Sequence, residues 1–158
     1  MAKKLGVVRF PGTNCDLDVW AAAEAVGLTP QWLWHEDQFS ADGFEALVIP
    51  GGFSYGDYLR CGALAARSPV MKSVREATVK GMPVLGICNG FQILCESGLL
   101  PGVLIRNKHR RFVDDWVQLE LVNQSKAFGP REPGAKIALP VAHGEGQFQM
   151  LGIRANGT

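Results

Sequence analysis

Cys88 ends an apolar run, Val84-Leu85-Gly86-Ile87-Cys88-Asn89-Gly90-Phe91-Gln92, in which glycines stand on both sides of the only strong nucleophile. A strand that turns sharply into a helix lifts such a side chain above the sheet, as in the nucleophile elbow of hydrolases. Gly86 and Gly90 allow the backbone to pack closely on either side. The helix N-terminus beyond the turn favours an anionic sulfur. A cysteine simply buried at the end of a strand fits the same residues. Pro50-Gly51-Gly52 ends a neighbouring apolar run and leaves bare backbone. Acyl transfer needs amide donors aimed at the developing oxyanion, and the N–H groups of Gly52 and Asn89 are the candidates. An ordinary loop at a sheet edge would read the same way.

A cysteine nucleophile normally works with a base and a residue that orients it. The chain has three histidines. His143 and Glu145 are spaced to lie on one side of an extended strand, which makes them a candidate substitute dyad or a pocket lining. His35 follows a strand and His109 lies in the basic Asn107-Lys108-His109-Arg110-Arg111-Phe112 stretch, and both are weaker candidates. Cys15, Cys61 and Cys95 form no CxxC pair with one another or with Cys88. No metal site is expected, and packing is the expected role of each.

The elements that position these residues can be read from periodicity. Leu5–Phe10 reads as a buried strand closed by Pro11-Gly12. A helix follows, with Asn14 as its cap and Leu17, Trp20, Ala21 and Ala25 at helical spacing until Gly27. Asp16 is likewise read as satisfying amides at that helix end. Further strands are expected over Gln31–Trp34, Ala46–Ile49 and Val84–Ile87, with a helix from near Pro69 to Val79 and a short one from Cys88 toward Glu96. This alternation predicts an α/β fold, a mainly parallel sheet covered on both faces, with its ligand site beyond the carboxyl ends of the strands. The loops after Phe10, Ile49 and Ile87 are therefore the ones that matter. From Gly102 the pattern changes. Trp116–Val122 and Lys136–Ala142 read as strands at the sheet edge or in a small accessory layer.

A chain of 158 residues with 47% hydrophobic content fits one domain. Lys and Arg total 16 against 15 Asp and Glu. This near balance disfavours nucleic acid or an acidic membrane surface as partner. There is no targeting leader or bilayer-length apolar run, so a cytoplasmic location is expected.

Several longer motifs carry a family resemblance: Phe10-Pro11-Gly12-Thr13-Asn14-Cys15-Asp16, Pro50-Gly51-Gly52-Phe53-Ser54-Tyr55-Gly56-Asp57-Tyr58-Leu59-Arg60, Gly86 to Leu94, Gly98-Leu99-Leu100-Pro101-Gly102 and Ala142-His143-Gly144-Glu145-Gly146. Together they resemble the glutaminase subunits, PurQ, of phosphoribosylformylglycinamidine synthase, within the class I glutamine amidotransferases. The resemblance runs nearly to Phe148. It implies a flavodoxin-like amidotransferase domain over residues 1–158 in which Cys88 attacks L-glutamine and passes through a glutamyl thioester. Gln92 becomes a substrate-pocket candidate. The ammonia would go to a large synthetase subunit in purine biosynthesis, and a small accessory subunit would be a further partner. ATP and Mg2+ would belong to that synthetase, since GGFSYGD lacks the GxxxxGK phosphate-loop pattern, and no cofactor is expected on this chain.

The family's later His-Pro-Glu motif, which supplies its base, has no counterpart in these residues. A domain incomplete at its C-terminus is therefore expected. Asp114-Asp115-Trp116 also departs from the family pattern. Two other readings stay open: a catalytically incomplete interaction module that keeps the glutamine-binding fold, and a thiol hydrolase for another substrate.

Overall fold

The computed structural model describes residues 3–124 and 132–150. Contacts divide the chain into two compact units, one running to Val103 and joined by Gln149 and Met150, and one covering Leu104–Phe148.

The first unit is built on four strands in the order β2-β1-β3-β4, all parallel: β1 (Lys4–Arg9), β2 (Thr29–Trp34), β3 (Phe44–Ile49) and β4 (Val84–Gly86). Side chains alternate between two apolar clusters, as a sheet buried on both faces requires. Leu5, Val7 and Val48 point to one face, where Ala23 and Val19 of α1 (Asp16–Ala25) cover them. Val8, Leu33, Leu47 and Ile49 point to the other. There they meet Val70, Met71, Val74 and Ala77 of α2 (Val70–Val79) and Ile93 and Leu94 of α3 (Asn89–Glu96). Each such aliphatic side chain, fully buried, contributes roughly 1.5–3 kcal/mol. The chain thus winds in opposite senses from the sheet centre, and the crevice lies between the carboxyl ends of β1 and β3.

Helix α1 sits in a different rotation from the one its hydrophobic spacing suggests. Leu17 is 70% exposed, and Ala21 and Ala25 face solvent. The inward stripe is Asp16, Val19, Trp20 and Ala23. Asp16 is buried because Arg9, at the end of β1, pairs with it at 2.6 Å while the guanidinium lies 4.6 Å over the Trp32 ring. An ion pair therefore sets the helix phase, and a search for apolar residues alone misses it. Cys15, not Asn14, occupies the N-cap, and no side chain caps the helix. The Asn14 carboxamide oxygen instead accepts from the Cys15 thiol at 3.3 Å.

Among the described residues, no strand after Gly86 joins the parallel sheet. The second unit contains an antiparallel ribbon of β6 (Val113–Glu120) and β7 (Lys136–His143), and β5 (Val103–Ile105) pairs with β8 (Gln147–Gln149). The later strands thus form ladders of their own rather than extending the sheet edge. No helix is long and apolar enough to cross a membrane among the described residues.

Candidate active site

Three loops converge at the carboxyl ends of the first unit's strands. The loop after β1 is sewn to the loop after β3: the N–H of Phe53 donates to Gly12 O at 3.0 Å, and that of Tyr55 to Pro11 O at 2.7 Å. In the other direction Asn14 and Cys15 donate to Gly51 O at 3.4 and 3.3 Å, and Thr13 and Gly52 form a β-bridge. No side chain fits at Gly52, where a Cβ would lie 2.7 Å from Asn14 N and φ is 143°.

The third loop is the turn at Cys88. Its φ of 52° and ψ of −109° are rare for a side chain larger than glycine, and a conformation of this kind costs on the order of 1–3 kcal/mol. The surroundings hold it there. Ile87 N–H donates to Ile49 O at 3.0 Å and Gly90 N–H to Ile87 O at 2.8 Å. A Cβ on Gly90 would collide with Ile49 O, and one on Gly86 would lie 2.7 Å from the Gly90 carbonyl. Helix α3 thus starts directly against β3, where burial of Ile49, Ile93 and Leu94 outweighs the strain. The result is an exposed Cys88 thiol at the first turn of α3. A Cβ on Gly51 would touch Cys88 Cβ at 3.4 Å, so the bare Pro50-Gly51-Gly52 backbone does lie beside the nucleophile candidate.

Asn89 is 1% exposed and works through its side chain as well as its amide. Its carboxamide oxygen accepts from Ser54 N–H at 3.2 Å, and its NH2 donates to Gln92 Oε1 at 3.0 Å and to Asp57 Oδ1 at 3.4 Å. The 54–57 segment it grips contains positive φ at Tyr55, Gly56 and Asp57 in succession. Arg60 adds a two-pronged bond to Glu96 on α3, with contacts of 2.5 and 2.6 Å. Among the described residues, neither the Gly52 nor the Asn89 N–H donates to a backbone carbonyl.

His35 Nδ1 lies 2.8 Å from the Tyr55 hydroxyl, which in turn lies 2.9 Å from Ser68 Oγ. Cys15 is the neighbour that spacing did not point out: its Sγ would also lie 3.4 Å from a Cβ on Gly51. Burial pushes the Cys15 thiol pKa up, with Asp18, Cys88 and Asp16 adding to the effect. The available signal was that the motif holding Cys15 follows a central strand.

His143 and Glu145 belong to the second unit. Strand β7 ends at His143 and the chain bends through Gly144 and Glu145, so the extended geometry expected for the pair is not present. The organiser is Asn107, 6% exposed. Its NH2 donates to the carbonyls of Arg111 and His143 at 2.8 and 2.9 Å. Its oxygen accepts from Gly146 N–H at 3.0 Å and lies 3.1 Å from His143 Nδ1. In the neutral imidazole, an acceptor oxygen there favours the tautomer with the proton on Nδ1 and the lone pair on Nε2. Gly146 is required because a Cβ would collide with the imidazole. Glu145 lies 4.0 Å from Arg106. His109 Nδ1 accepts from Arg111 N–H at 3.2 Å. Nothing in the sequence separated Asn107 from the basic residues that follow it. No group of three or more His, Cys, Asp or Glu able to hold a metal occurs among the described residues.

Known proteins place this arrangement. Residues 2–154 match the family model of the CobB/CobQ-like glutamine amidotransferase domain. The chain is 54% identical over 150 residues to phosphoribosylformylglycinamidine synthase subunit PurQ of Corynebacterium efficiens, covering 94% of itself and 67% of that protein. It is 51% identical over 146 residues to the same subunit of Chlorobaculum tepidum, covering 91% of itself and 62% of that protein. It thus spans about two thirds of the length of these curated relatives. The solved structure of PurLQS from Thermotoga maritima superposes with a TM-score of 0.90 at 41% identity, covering 97% of this chain and 72% of that one. Another glutamine amidotransferase of Thermotoga maritima shares the fold, with a TM-score of 0.60 at 18% identity, covering 95% of this chain and 64% of that one. With a parallel sheet wound in both directions, a strained cysteine turn at its carboxyl end and these relatives, the chain belongs to the PurQ-like class I glutamine amidotransferases.

Proposed function

We propose that this chain carries the glutamine site and the nucleophile of a glutaminase that supplies ammonia for phosphoribosylformylglycinamidine synthesis, and that these residues alone complete only the first half of the reaction. The observation that carries the reading is the Cys88 turn: an exposed thiol in a strained conformation at the start of α3, with the Gly51-Gly52 backbone beside it. Cys88 Sγ attacks the side-chain amide carbon of L-glutamine. The oxygen that becomes negative is received by the N–H groups of Gly52 and Asn89, an interaction worth roughly 3 kcal/mol per donor in the transition state. Ammonia leaves, carrying off the proton that the Cys88 thiol gave up on attack, as the tetrahedral intermediate collapses to a glutamyl thioester, and water then releases glutamate and restores the thiol. Gln92, gripped by Asn89, lines the substrate pocket. Residues 1–158 form one amidotransferase domain in this reading. The ammonia passes to an ATP- and Mg2+-dependent synthetase partner. The relatives' name as a synthase subunit and the PurLQS assembly in which one of them is solved support the partnership.

Hydrolysis of the thioester needs a base. The family's His-Pro-Glu motif is not among these 158 residues, and the first reading assigns the hydrolysis step to none of them. A second reading makes His143 the base. It draws on the Asn107 contact that leaves Nε2 with the lone pair, the tautomer a general base requires.

Labelling by the glutamine analogue 6-diazo-5-oxo-L-norleucine tests the shared part of both. Stoichiometric labelling of Cys88 is expected, blocked by L-glutamine and absent in Cys88→Ala. Failure to label the folded chain would favour an interaction module without a working pocket. Glutamate release then separates the two readings. Robust turnover lost in both Cys88→Ala and His143→Ala supports the His143 base, whereas labelling with little turnover supports the incomplete site.

A further inference from the structure

We infer that Cys15 and Cys88 form a reversible disulfide that switches off the nucleophile under oxidation. The two residues come from the loops after β1 and β4, 73 positions apart in the sequence. They meet over Gly51, where a single methyl group would touch Cys15 Sγ and Cys88 Cβ at 3.4 Å each. The absence of a side chain at Gly51 leaves the space between them open. Cys88 is exposed and Cys15 half-buried, so a small oxidant reaches the first and the second stands behind it. Cys95 is buried in α3 and is poorly placed to compete.

The chemistry balances with a hydroperoxide as oxidant. The Cys88 thiolate attacks one oxygen of hydrogen peroxide, the O–O bond breaks, and Cys88 becomes a sulfenic acid as hydroxide departs. That hydroxide takes the proton from the Cys15 thiol, giving water. The Cys15 thiolate attacks Cys88 Sγ, the S–O bond breaks, and the second hydroxide leaves and is protonated to water by the proton Cys88 first gave up. Two thiols have lost two electrons and one peroxide has become two waters. Burial keeps Cys15 protonated until this step, which suits a resolving thiol rather than the one first oxidised. The loss of glutamine reactivity on oxidation rests on the reading of Cys88 as the glutaminase nucleophile. The bond itself does not.

The experiment treats the purified chain with hydrogen peroxide, blocks free thiols, and maps tryptic peptides without reduction. A peptide linking residues 10–60 to residues 81–106 is expected, and a Cys95→Ser variant assigns the link to Cys88 because both cysteines share the second peptide. Labelling by 6-diazo-5-oxo-L-norleucine should fall more than tenfold on oxidation and return with dithiothreitol. In Cys15→Ser, Cys88 should instead pass on to the sulfinic acid, and dithiothreitol should restore nothing. Oxidation of wild-type Cys88 to the sulfinic acid with no linked peptide would overturn the inference, as would a link from Cys15 to Cys61 or Cys95. The wild-type peptide decides the matter even if Cys15→Ser folds poorly. If the reduced chain fails to label while the linked peptide forms, the glutaminase reading falls and the disulfide stands.

Discussion

The turn at Cys88 and the turn at His143 are both rich in glycine, yet different forces hold them. At Cys88 the glycines let main chain approach main chain: α3 starts against the carbonyl of Ile49, and the strain is carried by a core of Ile49, Ile93 and Leu94. At His143 the core is thin, with most of β6 and β7 exposed. There one buried side chain, Asn107, satisfies two carbonyls, an amide and an imidazole, and Gly146 makes room for the ring rather than for backbone. The comparison teaches that Gly-rich motifs of similar appearance fail in different ways. One should be sensitive to added volume and the other to the loss of a hydrogen-bonding group.

The strongest way to break that contrast is Gly90→Ala. The added methyl has only the Ile49 carbonyl to displace, so a loss of about 3 kcal/mol or more is expected, read as the shift of a urea unfolding curve. Asn107→Ala should come next, at roughly 2 kcal/mol, since it leaves buried partners unsatisfied without adding volume. Amide exchange at Gly146 should quicken while that of the α3 amides stays unchanged. Equal effects of both substitutions on α3 exchange would remove the distinction.

Asn89 sharpens the comparison because it is a side-chain hub in the Cys88 region. Asn89→Ala should lower stability by about 1–2 kcal/mol through the bared Ser54 amide. It should also slow analogue labelling of Cys88 by roughly tenfold, the larger share of the effect being positional. A stability loss with no change in labelling rate would confine Asn89 to a packing role.

The smallest effect concerns pH. Burial raises the Cys95 thiol, with Glu96 adding to it. The unfolded chain therefore releases this proton first, and stability should decline as pH climbs from the unfolded thiol value, about 8.5, toward the higher folded one. Cys95→Ala should flatten that limb, and an unchanged slope would show that the thiol gains little from its burial.

Much of the first unit was legible because strand and helix periods are written in local residue order. The strands at Leu5, Ala46 and Val84, the helix to Val79 and the turn at Cys88 all lie where apolar spacing and Gly-Pro punctuation put them, within a few residues. The phase of α1 was not legible. It depends on Asp16 meeting Arg9, a charged pair inside a stripe that spacing rules expect to be apolar. Of the later strands, β6 and β7 were readable as strands and the three-residue β5 and β8 were not; no partner was readable, because exposed ribbons leave little one-sided pattern to fix which ladder they join.

By itself, then, the sequence determined the alternation of elements, the family and the choice of Cys88 as candidate nucleophile, since each is carried by residues close together in the chain. Tertiary structure alone decided that Asn89 clamps the 54–57 segment, that the Asn107 oxygen faces His143 Nδ1, and that Cys15 stands across Gly51 from Cys88. Those contacts join residues tens of positions apart. Their existence depends on strand order and loop approach in space, for which residue types and short spacings carry no signal.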